Sequence, residues 1–395
     1  MSGKNVTLNA GNNLLVKGSA VAGDEDVSLK AGNNVDIVAA TNTDSSWSLS
    51  EKKKSGLMGS GGIGFTIGST KTRQELKEKG STQSQSGSMV GSSGGDLTVT
   101  AGGVAHVGGS ELVAGRNLSL TGDSVVIDPG HDKRTSDQLF EQKSSGLTIA
   151  LSGAVGGAVN SAVTTAQAAS KESDGRLASL QATKAALSGV QAMQASEMND
   201  LKGKDPSNNN AIGISATYGS QSSKSTSHNE QDHTAGSTLN AGNNLTIAAN
   251  GNKAGAQSGD ITIAGSQLKA GQDVSLNASR DINLLSAQDT DLTTGKNESK
   301  GGTLGIGVGV GSGGWGITVS ASLNRSTGKE KGNGVTQNET TLDAGHQLTL
   351  TSGRDTTLAG AQVSGEKVVA DVGRDLTLSS LQDSNNYDSK QTSVS

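Results

Sequence analysis

Residues 265–285, GSQLKAGQDVSLNASRDINLL, hold the pattern from which the fold follows. From Gly271 the order is glycine, any residue, aspartate, then apolar–polar–apolar. The same order returns as GNNLLV from Gly11, GNNVDI from Gly32, GRNLSL from Gly115, GNNLTI from Gly242 and GRDLTL from Gly373. RDINLL from Arg280 and GRDTTL from Gly353 are looser copies. Alternation sets Val35 with Ile37, and Leu118 with Leu120, on one face of a short strand. The Gly-x-Asn/Asp before each strand reads as a turn, with glycine supplying positive φ and Asn or Asp bonding back to its own backbone.

Spacing selects the architecture. Gly353 to Gly373 and Gly95 to Gly115 are both 20 residues, while Gly271 to Ser279 and Gly345 to Gly353 are 8. Coils of about 20 residues, made of short strands and tight corners, predict an all-β chain. The fold expected is a right-handed parallel β-helix, one β-solenoid over residues 1–395, with coils stacked roughly 4.8 Å apart. Val27, Leu29, Val35, Ile37, Leu118, Leu120, Val274, Leu276, Leu376 and Leu378 are expected to point into its narrow core. Asn13, Asn34, Asn117, Asn244, Asp273 and Asp375 share one turn position, where stacked side chains form ladders.

A larger module overlies the coil: GSAVAGDEDVSL from Gly18, GSELVAGRNLSL from Gly109, GSQLKAGQDVSL from Gly265 and GAQVSGEKVVAD from Gly360. A polar exit follows each copy, and three exits lead into a Gly-alternating segment such as GTLGIGVGV, with Leu304, Ile306, Val308 and Val310 on one face. These read as extruded hairpins over 55–90, 145–235 and 300–340, with polar return loops. Inside the second hairpin, Val155, Val159 and Val163, then Leu177, Leu180, Leu187 and Val190, recur at helical spacing, so a small α-helical insertion is expected over 153–205. The apolar hairpin faces call for cover. They are expected to pair with one another as an extra sheet or to enter a membrane.

Composition narrows the function. Of 395 residues, 57 are glycine, 2 proline, none cysteine and only 6 aromatic, which leaves no disulfide, no thiol chemistry and only a thin core. A net charge of −5 argues against nucleic acid as a partner, since that calls for a basic face. No run reaches the roughly 18 apolar residues of a membrane helix. The N-terminus, MSGKNVTLNAGNN, reads as having no signal peptide of its own.

The strings AGNNLTI, SGDITIAGSQLKAGQDVSLNASRDINLLSAQDT and SGLMGSGGIGFTIGS resemble the hemagglutinin repeat of filamentous hemagglutinins. The resemblance is to the second, C-terminal repeat region of contact-dependent growth inhibition effectors, and it covers all but the helical insertion. It implies a secreted surface filament, exported through an outer-membrane two-partner secretion transporter. It implies a role in adhesion or in delivering a C-terminal toxin to neighbouring cells, with the target-cell surface or outer membrane as partner. An immunity protein would enter only through a toxin domain, which this chain does not carry. The signal peptide, secretion domain and pretoxin motif of the family are also missing from it, and it stops at the entrance to a fourth hairpin, so the chain reads as a fragment or as the product of a broken gene.

Four places in the sequence gather residues that could carry chemistry. His228-Asn-Glu-Gln-Asp-His233 gathers donors, but a five-residue spacing does not place both histidines on one helix face, so no metal site is expected. Gly59, Gly61 and Gly64 spell a dinucleotide fingerprint with no helix after it. The repeated Asp and Asn lack the tandem nonapeptide of calcium solenoids. Asp24, Glu25 and Asp26 are the one carboxylate cluster a polysaccharide-processing β-helix enzyme would draw on. They read as a solvated corner. No catalytic residue, cofactor or metal ligand is expected.

Overall fold

The computed structural model describes residues 1–59, 64–152, 163, 165, 212–253, 255–311 and 314–395. Three eight-stranded parallel sheets run along the molecule, and each coil contributes one strand to each sheet. Residues 265–285 make one such coil, with strands Gln267–Ala270, Val274–Ala278 and Ile282–Leu285. Its neighbour stacks in register, Leu268 on Leu342, Leu276 on Leu350 and Leu284 on Leu358. Like side chains therefore lie on like, and the three inward rows close on one another as a single apolar core. The parallel β-helix follows from strands too short to bury themselves alone, each covered by the other two sides of its coil.

Eight of the ten residues expected in this core are buried in it. Leu376 and Leu378 are the correction. They are 50% and 67% exposed because they sit in the last coil, which has no neighbour stacked on its outer side in this chain.

The corners show why the repeat is spelled as it is. Gly265, like Gly18, Gly109 and Gly360, has φ near +50 to +60°, so the glycine opening each larger module is the one set by backbone conformation. The glycine of the Gly-x-Asn/Asp turn has a different cause. At Gly271 an added Cβ would overlap the carbonyl oxygen of Gly242 one coil below. That position is held by close stacking.

The Asn/Asp positions do form ladders, but on two corners. Asn244 accepts the backbone N–H of Asp273 at 3.3 Å, and Asn117 accepts that of Asn244 at 3.4 Å. Asn13 and Asn34 belong to a second corner, where Asn13 accepts the N–H of Asn34 at 3.1 Å. Asp375 sits on that corner too, its N–H bonded to Asp355 at 3.2 Å. There arginines interleave with the aspartates: Arg280 on Asp260, Arg354 on Asp281 and Arg374 on Asp355. A third corner is a buried hydroxyl ladder, with the N–H of Ser110 on Ser237 and that of Ser237 on Ser266.

After every second coil the chain leaves the same corner as a long strand. Strands Asn42–Gly59 and Gly64–Thr82, Gly130–Ser152 and Ile212–Ala235, Ala287–Gly311 and Gly314–Asn338 form three hairpins, and Ser384–Val394 adds a seventh strand. All seven make one continuous antiparallel sheet. The pitch explains the continuity. Two coils rise about 9.6 Å, which is the width of two paired strands. Each hairpin thus meets the next without a gap.

The polar segments read as return loops are strands. The hairpins begin at Asn42, Gly130 and Ala287, well before the boundaries at 55, 145 and 300. A sheet neighbour satisfies the backbone there, so pairing decides the conformation where no apolar pattern does. The insertion expected at 153–205 lies outside the described residues apart from Val163 and Thr165, which are helical.

Candidate interaction surface

The register of the hairpin sheet sorts its side chains. Leu57, Ile67, Leu147, Tyr218 and Leu304 form one row across five strands. Phe65, Ile149, Ala216, Ile306 and Val319 form the next, and Leu151, Ile214, Val308 and Ile317 the one after. All these rows share a face, because each step along a strand is two residues. The opposite face of the same region is small: Gly56, Gly68, Gly146 and Gly219 make one row, and Thr66, Thr148, Thr217 and Gly305 the next. Thr66 and Thr148 join by a 2.8 Å hydrogen bond between their hydroxyls. The apolar face is bare, from Phe65 at 39% exposed to Leu323 at 81%. Its extent, six strands by three rows, is about 600 Å², at the upper limit of what monomers ordinarily expose.

Toward the solenoid this face changes in two steps. First comes a row of Ser55, Ser69, Ser145 and Ser220. Then come Lys53, Lys71, Lys143, Ser222, Lys300 and Arg325, aligned across six strands. The five cations, with Ser69, Ser145, Ser220 and Ser222, line a groove of about 710 Å³. Lys71 pairs with Glu51 at 2.7 Å and Arg325 with Glu298 at 3.9 Å. Lys53, Lys143 and Lys300 are exposed and carry no ion pair among the described residues.

The sequence reading found the apolar alternation but missed the cation row, whose members lie far apart in the chain. The signal was local. In three of the six arms a cation stands three residues outside the glycine that bounds the alternating segment: Lys53 to Gly56, Gly68 to Lys71 and Lys143 to Gly146.

The other candidate groups fall apart or serve the scaffold. His228 and His233 lie on one strand five residues apart, hence on opposite faces. His228 bonds Asp137 at 2.6 Å and Glu230 at 3.0 Å, and these carboxylates raise its pKa. His233 pairs instead with Asp289 at 3.3 Å. Among the described residues no group of three His, Asp or Glu is arranged to hold a metal ion. Asp26 accepts the N–H of Asp96 and pairs with Arg116, and Glu25 pairs with Lys4, so Asp24–Asp26 is a corner of the ladder. Gly59 and Gly64 end and begin hairpin strands.

The pattern of the hemagglutinin repeat matches residues 1–91 and 218–394. The whole chain is 66% identical to the 16S rRNA endonuclease CdiA of Enterobacter cloacae, 58% to the tRNA nuclease CdiA of Escherichia coli NC101 and 50% to the deoxyribonuclease CdiA of Dickeya dadantii. It covers 12% of each of these relatives. No solved structure matches it. With its repeat pattern matched over more than half its length and its coils stacked as that pattern requires, the chain belongs to the hemagglutinin-repeat family, as a segment of a filamentous-hemagglutinin-like protein.

Proposed function

We propose that the chain is a non-catalytic segment of a secreted bacterial surface filament that serves contact-dependent delivery of a C-terminal toxin, with the hairpin sheet as the part that meets the target cell's outer membrane. The solenoid supplies length and stiffness. The bare, one-sided apolar face of the sheet carries the reading: about 600 Å² of exposed Leu, Ile, Val and aromatic surface on a layer held outside the core. Three relatives named for three different nuclease activities share this segment. A part held in common does not hold what distinguishes them, which supports a role apart from catalysis. In the full-length protein the two-partner transporter acts in export, and an immunity protein engages the toxin.

The test is the double variant Ile306→Lys, Val308→Lys in the full-length protein. Both side chains are exposed, so secretion and folding should persist. Association with target cells and toxin delivery should fall more than about tenfold, since a lysine on a lipid-facing strand costs roughly 2 kcal/mol or more. Unchanged delivery by a well-folded variant would overturn the reading.

A further inference from the structure

We infer that the cation row beside the apolar face is a headgroup site: it binds the net-anionic headgroups of a lipid bilayer while the apolar rows rest on the acyl region. The inference builds on the membrane-contact reading above and names the lipid class that reading leaves open.

Three observations on one face carry it. The apolar rows end at a serine row, and the cations follow one step further, all in register across the sheet. Each step is two residues, roughly 6.6 Å. With the apolar rows sunk into a monolayer and the sheet tilted, the serine row lies at the boundary and the cations lie at headgroup depth. Lysine stems reach along apolar surface while their ammonium groups stay with water and phosphate. Second, the row is short of partners: Glu51 and Glu298 engage Lys71 and Arg325, Glu141 turns to Lys224, and Lys53, Lys143 and Lys300 stay unpaired among the described residues. Third, the cations and serine hydroxyls share a groove with Leu323, which continues the serine row, so one surface offers ammonium, hydroxyl and alkyl contacts together.

A second copy of the chain fits this surface less well, because its own face offers the five cations no wholly acidic row, only Glu51, Glu141 and Glu298 alternating with Arg73 and Lys224. A nucleic acid fits less well still, because the cations border an apolar face, and the two rows beyond them mix Glu51, Glu141, Glu298 and Glu75 with Arg73, Lys224, Lys296 and Lys329 and so extend no basic track.

The experiment is co-sedimentation of the whole chain with two kinds of vesicle, phosphatidylcholine alone and phosphatidylcholine mixed with phosphatidylglycerol. The variant is Lys53→Gln, Lys143→Gln, Lys300→Gln, three exposed positions whose loss should leave the melting curve in place. The wild type should prefer the anionic vesicles, and salt should abolish the preference. The triple variant should lose that preference, on the order of 100-fold, while keeping whatever binding it has to phosphatidylcholine. Equal binding of the wild type to both vesicles, or a variant that keeps the preference, overturns the headgroup site and leaves membrane contact standing. Binding to neither vesicle overturns both. Dimerisation in solution that Ile306→Lys, Val308→Lys abolishes, without vesicle binding, assigns the face to a second copy and also overturns the inference.

Discussion

The solenoid and the hairpin sheet are written in the same alternation, yet one buries its apolar face and the other displays it. VSL at Val274–Leu276 and GIGVGV at Gly305–Val310 both place every second side chain on one side. In the coil the chain turns after four or five residues, and two further sheets close over the inward row. In the third hairpin it runs 25 residues before turning, and no other layer lies on its apolar face among the described residues. Alternation therefore specifies a strand. The distance to the next corner specifies whether that strand has a core. Glycine deepens the contrast, since Gly305, Gly307 and Gly309 leave the second face of this strand without side chains, and its partner adds only Ser320 and Thr318 there.

A matched pair of charges should break the comparison most sharply. Leu276→Asp places a carboxylate in a fully enclosed row, between Ile247 and Leu350, and should destabilise the solenoid by about 3 kcal/mol or more. Ile306→Asp places the same group in water and should move the melting temperature very little. Comparable losses from the two substitutions would mean that the hairpin face is covered, and the contrast would disappear.

Pitch can be tested by deleting residues 97–117. Leu97 and Leu118 occupy the same position one coil apart, and Asp96 and Asn117 are equivalent ladder residues, so the cut joins like to like. The first and second hairpins would then stand one coil apart, about 4.8 Å, where two paired strands need about 9.6 Å. The solenoid should survive. The pairing of Gly64–Thr82 with Gly130–Ser152 should be lost, seen as fast amide exchange in those strands alone. Retained protection there would show that pitch does not set the continuity of the sheet.

Much of this was legible in the sequence, for identifiable reasons. The coil was readable because corner and strand recur together, as in Gly271–Leu276, and a repeat multiplies a weak signal. Leu376 and Leu378 show its limit: their spelling is that of core residues, but the last coil leaves them uncovered on its outer side. The two glycine classes, Gly265 and Gly271, look alike in sequence because positive φ and close stacking both exclude a side chain. The polar hairpin arms were missed because Lys71 to Ser81 has no apolar period; register with distant strands makes it a strand. The cation row is a product of that same register. It required alignment of five arms before Lys53 and Lys300 became neighbours in a pattern.

The smallest effect expected separates the two regions by their histidines. His106 stands on the outer face of the third sheet, bridging Asp128 at 3.0 Å and Asp36 at 3.3 Å. The hydrogen bond to Asp128 is the main cause that raises its pKa above the usual 6.5, against an opposing effect of burial, and Asp36 adds to it. His228 in the sheet has a similar pair of carboxylates, and its pKa is raised as well. The sign is the same for both: a raised folded-state pKa means stabilisation that is complete below about pH 6.5 and is lost as pH rises through the folded value. The difference is solvent. His106 is 27% exposed, held between stacked strands, whereas His228 is 35% exposed on an open layer where water and salt screen its partners. The solenoid should therefore lose on the order of 1 kcal/mol between about pH 6 and pH 9, and His106→Gln should remove that loss. His228→Gln should leave the solenoid's urea midpoint at both pH values where the wild type has it, and salt should erase whatever the sheet itself shows. An unaltered pH difference in His106→Gln would place the titration elsewhere. A difference removed by His228→Gln instead would show that the sheet, open on its apolar face, still supports the coils beneath it.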